Sequence, residues 1–242
     1  MSERTRWTAV VVFGVAMAWM EAATVVYIRM LVGRVIPYQA NPLPRFDALG
    51  NTELVREIAT MVMLATVGWL AGRNSRARLA YALLAFGVWD ICYYAFMAII
   101  VGWPASLLDW DLLFLLPLPW WGPVLAPMLI AVLMIAGGTL VTQFGNGQLW
   151  PTRRTLYPGL LGIALALVVF MWDAGRAMGG GVEAVRAVLP ASFQWPLFGL
   201  ALVLMSTTIF DVARQMGRRS ALSASEGKNP ADVAHQLGKA GV

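Results

Sequence analysis

The 242 residues are 59% hydrophobic and 13% charged, with a mean hydropathy of +0.67, an apolar share well above that of soluble domains. The formal charge of +5 comes from basic residues in short segments between apolar runs, a topology signal that excludes a nucleic-acid-binding face. The single histidine, His235, lies in a polar tail and the single cysteine, Cys92, in an apolar run. Together they exclude an internal disulfide, bis-histidine haem, histidine-rich metal sites and an intramembrane Ser-His or Cys-His pair.

Trp7 to Val32 is the first apolar run, long enough to cross a hydrocarbon core of ~30 Å. Arg4 and Arg6 precede it and Ala16-Met17-Ala18 imitates a signal-peptidase site, but the run continues well beyond that point, so a retained span is expected. Residues 33–50 carry Pro37, Pro42 and Pro44 and read as a loop. Asn51 or Thr52 caps a second span over 53–72, with Glu53 in its first turn, where the helix dipole favours an acid. Arg73, Arg76 and Arg78 form a basic connection to a third span over 79–101, which carries Asp90.

The connection from Gly102 to Gly122 is unusually apolar. Ser106 and Asp109 resemble a capping box and predict a short helix, interfacial or re-entrant, that Pro117 ends. The fourth span is expected over 123–144, the fifth over 156–174 and the sixth over 195–213, with a short amphipathic helix at Val182 to Leu189 between the last two. Residues 214–242 read as a polar, disordered tail. The fold class is thus all-α, a polytopic helix bundle of six transmembrane helices. Of the 18 Lys and Arg residues, 12 fall on the side of the termini, which predicts both termini in the cytoplasm. Tryptophans and tyrosines at the ends of the runs fit the aromatic belts of the two interfaces.

Polar groups inside these runs are where function is sought, because a charge at the bilayer centre costs roughly 2.5–3.5 kcal/mol on insertion scales. Counting ~1.5 Å per residue, Glu21 lies about 20 Å from the cytoplasmic edge of its helix and Asp90 about 16 Å along the third. Arg56 and Glu57, on the antiparallel second helix, reach a similar depth, so Glu21 with Arg56 is the expected ion pair, with Arg29 and Glu57 as alternates. The helical period places Tyr93 and Tyr94 near Asp90, and Gly87 leaves room for another helix to approach. Asp173, Asp109 and Asp111 lie towards the same outer side.

The candidate binding set is therefore Glu21, Arg56, Glu57, Asp90, Tyr93 and Tyr94, with Asp173 at the rim and Asp109-Trp110-Asp111 as a cover. An alternative treats the same residues as interhelical pairs that fix packing and bind nothing. Intramembrane protease chemistry is disfavoured: Asp90 lacks the glycine-x-glycine-Asp partner motif, and neither a Gly-x-Ser-Gly with histidine nor paired glutamates with membrane histidines occur. No catalytic residue, cofactor or metal is expected.

The segments Phe86-Gly-Val-Trp-Asp-Ile-Cys-Tyr-Tyr94, Gly102-Trp-Pro-Ala-Ser-Leu-Leu-Asp-Trp-Asp111 and Pro117-Leu-Pro-Trp-Trp-Gly-Pro-Val-Leu-Ala-Pro127, with Glu21 to Arg29, resemble a group of uncharacterised bacterial multi-spanning inner-membrane proteins. The resemblance implies an inner-membrane location and a six-helix plan, and it carries no activity or site. Two functions remain in view: a non-enzymatic protein that binds or passes a small solute, proton or lipid headgroup through an outward-facing pocket, and an accessory or scaffold subunit of a membrane complex. The partners expected are the lipid bilayer and either a membrane protein or a second copy of the chain.

Overall fold

A computed structural model describes residues 1–33, 36–40, 48–145 and 149–226. Among the described residues, six helices are long and apolar enough to cross a membrane. They are α1 (Glu3–Leu31), α2 (Ala48–Ala71), α3 (Ser75–Val101), α4 (Leu125–Thr139, continued as a π-helical turn over Leu140–Phe144), α5 (Arg153–Phe170) and α8 (Trp195–Glu226). Two short helices, α6 (Trp172–Ala177) and α7 (Gly181–Ala187), lie between the last two spans. Large apolar side chains such as Val62, Trp69, Leu70, Ile99, Leu161 and Phe210 are exposed, the outward-facing arrangement that hydrocarbon accepts and water does not.

Local sequence sets the helix ends. The Ser2 hydroxyl accepts from the Thr5 amide and caps α1. Asn74 does the same for α3 through the Ala77 amide, so α3 starts at Ser75, four residues before the predicted Leu79, and Arg76 and Arg78 belong to its first turn. Gly102 ends α3 at φ 70°, a left-handed conformation that glycine adopts without steric cost.

Helix α3 is the central pillar and packs on α1, α2 and α4; α5 packs on α8, and α4 joins the two groups through α8. The α1 contact is built on Gly14, Ala18 and Ala22, a stripe of small residues one turn apart that brings the two backbones close. Against it lie Tyr81, Leu84, Ala85 and Val88 in the main core. A second core joins Ala126, Ala166, Phe170, Phe198 and Ala201 between α4, α5 and α8. At the terminal end, the Tyr81 hydroxyl donates to Glu3 Oε2 at 2.9 Å and Trp7 Nε1 donates to Thr139 Oγ1 at 3.1 Å, fixing the start of α1 to α3 and α4.

Three expectations need correction. The connection between the third and fourth spans is an antiparallel β-hairpin, β1 (Trp110–Phe114) and β2 (Trp120–Pro123), and not a short helix. Its aromatic residues suit a pleated ribbon, and Pro117 and Pro119 occupy the turn. Asp111 pairs with Gly122 and Leu112 with Trp121, with an irregularity before Phe114. The fifth span stops at Phe170, where Met171 leaves helical geometry, so Asp173 belongs to the separate α6. Helix α8 runs beyond the predicted Ala213 to Glu226; the rest of the predicted disordered tail, and Pro42 and Pro44 of the first loop, lie outside the described residues.

Gly87 and Gly138 set the α3–α4 distance from opposite sides: a Cβ at Gly87 would stand 2.6 Å from the Ala131 carbonyl oxygen, and one at Gly138 would stand 2.6 Å from that of Ala80. Gly138→Ala is expected to lower stability by about 1–3 kcal/mol through overpacking, whereas Gly137→Ala, which meets only Ile209 at 3.6 Å, is expected to be neutral or slightly stabilising. Unfolding midpoints of the two variants in the same detergent check this.

Candidate functional site

Three helices each present a polar stripe towards one cavity at the hairpin end of the bundle. On α2, Glu53, Arg56, Glu57 and Thr60 fall at i, i+3, i+4 and i+7 and all line it. From α1 come Glu21, Val25, Ile28 and Arg29, and from α3 Phe86, Trp89, Asp90, Tyr93 and Tyr94. The hairpin adds Asp111 to Leu115 and Trp120. The cavity holds about 920 Å³, the size of a site for a drug-sized ligand. The residues it draws from α4, α5 and α8, among them Ile130 and Met134, Ile163 and Leu167, and Met205, are apolar.

Most charged groups here hold one another. The Arg56 guanidinium bonds Glu21 Oε1 through Nη1 and Glu53 through Nε at 2.9 Å and Nη2 at 2.5 Å. Thr60 donates to the other Glu21 oxygen at 3.1 Å. Asp111, 2% exposed, accepts from the Tyr94 hydroxyl at 3.0 Å and from Arg29 at 3.4 Å, and Arg29 also lies over the Trp103 ring, 4.7 Å from its centroid. Burial pushes the Asp111 carboxyl above its ordinary range, opposed by the Arg29 charge and the Tyr94 hydroxyl. Glu57 accepts the Leu115 amide at 3.2 Å, tying the end of β1 to α2.

Asp90 differs from the rest. It is 8% exposed and lines the cavity, yet its Oδ2 has no hydrogen-bond partner. The indole nitrogens of Trp89 and Trp120, also cavity residues, are likewise buried and unsatisfied. Buried polar atoms are bonded in the great majority of cases, and three that are not belong to residues of this one lining.

Of the residues predicted from sequence, Glu21, Arg56, Glu57, Asp90, Tyr93, Tyr94 and Asp111 come together here, and Glu21 with Arg56 is the ion pair expected. Asp109 and Asp173 do not join them. The Asp109 carboxylate accepts from the Ala105 and Ser106 amides at 2.8 and 3.2 Å and builds the turn before β1. Asp173 stands on α6, away from the cavity lining, its carboxyl raised by partial burial against the opposing charge of Arg176. Sequence reasoning left out Arg29, Glu53 and Thr60 as site residues. Glu53 and Thr60 share the helical stripe of Arg56 and Glu57, a periodicity visible in the chain, whereas the assignment of Arg29 to Asp111 needed the hairpin. Among the described residues, no group of three or more His, Cys, Asp or Glu is placed to hold a metal ion.

Comparison with protein-family models, curated proteins and solved structures gives no match.

Removing one member of a buried pair leaves the other charge uncompensated, which costs about 3–5 kcal/mol. Arg56→Ala, which strands both Glu21 and Glu53, is expected to fall in that range. The triple variant Glu21→Gln, Glu53→Gln, Arg56→Gln is expected to recover a large part of the loss. Denaturant titration in one detergent, read by tryptophan fluorescence, checks both.

Proposed function

We propose that this chain is a non-enzymatic, multi-pass protein of the bacterial inner membrane that binds a small solute in the cavity beneath the hairpin. Both termini are assigned to the cytoplasm by the distribution of basic residues, so the hairpin end faces outward. The observation that carries the reading is Asp90: a carboxylate in the interior of a spanning helix, buried and without a partner for Oδ2, on the wall of a cavity of about 920 Å³. An intramembrane acid is costly, and that cost is offset where a ligand or water completes its hydrogen bonds.

A scaffold role has its own support, because Glu21, Glu53, Arg56, Arg29 and Asp111 satisfy one another and would fix helix packing without any ligand. It leaves Asp90 and the cavity without a purpose, and binding is therefore preferred.

The test is thermal unfolding of the full chain in lipid nanodiscs against a panel of small cations, anions, zwitterions and neutral amphiphiles. A binder at about 100 times its Kd adds about 2.7 kcal/mol, and a chain of this size gains roughly 2–4 °C per kcal/mol, so a shift of about 5–10 °C is expected for at least one member. Met134→Trp, which fills the apolar side of the cavity, should remove that shift while folding normally. A panel without any stabiliser, or a shift that persists in Met134→Trp, would overturn the binding reading.

A further inference from the structure

The composition of the cavity wall identifies the chemical class of its occupant, provided that the cavity is a binding site as proposed above. Six carboxyl residues line it, Glu21, Glu53, Glu57, Asp90, Asp111 and Glu183, against three arginines, Arg29, Arg56 and Arg186. All three arginines are already engaged. Arg56 serves Glu21 and Glu53, Arg29 serves Asp111 and the Trp103 ring, and Arg186 serves Glu183 at 3.3 Å. An anionic ligand would therefore have to break an existing pair to find a guanidinium, and it would sit beside an excess of acids. A cation meets neither obstacle.

The surroundings of Asp90 point the same way. The rings of Phe86, Trp89 and Tyr93 share its stretch of α3, with Phe86 and Trp89 in edge contact at 5.3 Å and Trp89 and Tyr93 stacked at 6.2 Å. Aromatic rings beside a carboxylate form the usual receptor for an ammonium group, which gains from the ring quadrupoles as well as from the charge. The lining that α4, α5 and α8 contribute, with Met134, Ile163, Leu167 and Met205, carries no charged or hydrogen-bonding side chain. A bare inorganic cation would leave that side unused.

We propose that the cavity binds an organic amine, protonated or quaternary, with an apolar body: the ammonium lies at Asp90 among the α3 rings, and the apolar part lies against α4, α5 and α8.

The experiment compares four probes on the nanodisc-embedded full chain: n-hexylammonium, n-hexanol and hexanoate, which share a six-carbon chain, and the bulkier tetrapropylammonium. Isothermal titration and thermal shift should show at least one of the two cations binding at least tenfold more tightly than n-hexanol, and hexanoate not binding. Asp90→Asn should remove the preference for cations, whereas Asp173→Asn, outside the cavity, should keep it. Binding of both cations no tighter than that of n-hexanol to the unaltered chain would overturn the proposal whether or not Asp90→Asn folds. So would cation binding that survives in a folded Asp90→Asn, or an absence of binding by either cation. A hexanoate response, or a hexanol response as strong as that of the tighter cation, that Met134→Trp abolishes would defeat the amine assignment and leave the cavity standing as a binding site.

Discussion

The Asp111 carboxylate, shared between the Tyr94 hydroxyl and the Arg29 guanidinium, is the interaction on which the hairpin end of the molecule depends. A two-stranded ribbon is barely stable by itself, and an irregular connection is tolerated at membrane depth only where protein covers it. Asp111 removes both difficulties by holding β1 against α1 and α3 together, while Glu57 secures the other end of the strand to α2 through the Leu115 amide. With the ribbon held at these points, three helices that each carry a polar stripe share one roof, and a cavity remains beneath it.

Within that arrangement the division of labour among the acids follows from their partners. Glu21 and Glu53 converge on the Arg56 guanidinium, and the Glu21 contact binds α1 to α2, which otherwise touch lightly beside their joint partner α3. Asp111 and Glu57 fix the hairpin. Asp90 alone among these acids has an oxygen that is buried and without a hydrogen-bond partner. The acids that organise the site and the acid with an unsatisfied oxygen are thus different residues, although all of them are carboxylates.

The six spans were legible because length and hydropathy suffice to identify an apolar helix, and the deep charges stood out for the same reason: each is costly in its run. The pairing of Glu21 with Arg56 followed from antiparallel geometry and a common rise per residue. Pairings that depend on the hairpin were not legible. Gly102 to Gly122 offers an acid-rich start and then an apolar run, which local rules read as a capped helix, and only the cross-strand register of Asp111 with Gly122 reveals which acid turns inward. Asp109 and Asp111 are two residues apart and alike in sequence context, yet one shapes a turn and the other is buried on Arg29. Asp173 was misjudged for a related reason, since the break at Met171 moves it off the spanning helix.

Helices α2 and α5 both line the cavity, yet α2 packs on α3 and α1 whereas α5 packs on α8. Ile163 of α5, on that lining, is 47% exposed. In a bilayer that exposed face of Ile163 meets acyl chains, so lipid of variable composition stands directly beside a residue of the lining. The molecule's affinity for any occupant is then a joint property of protein and bilayer, set partly by how readily a lipid tail yields its place, and it will differ between a detergent micelle and a membrane without any change in the polypeptide.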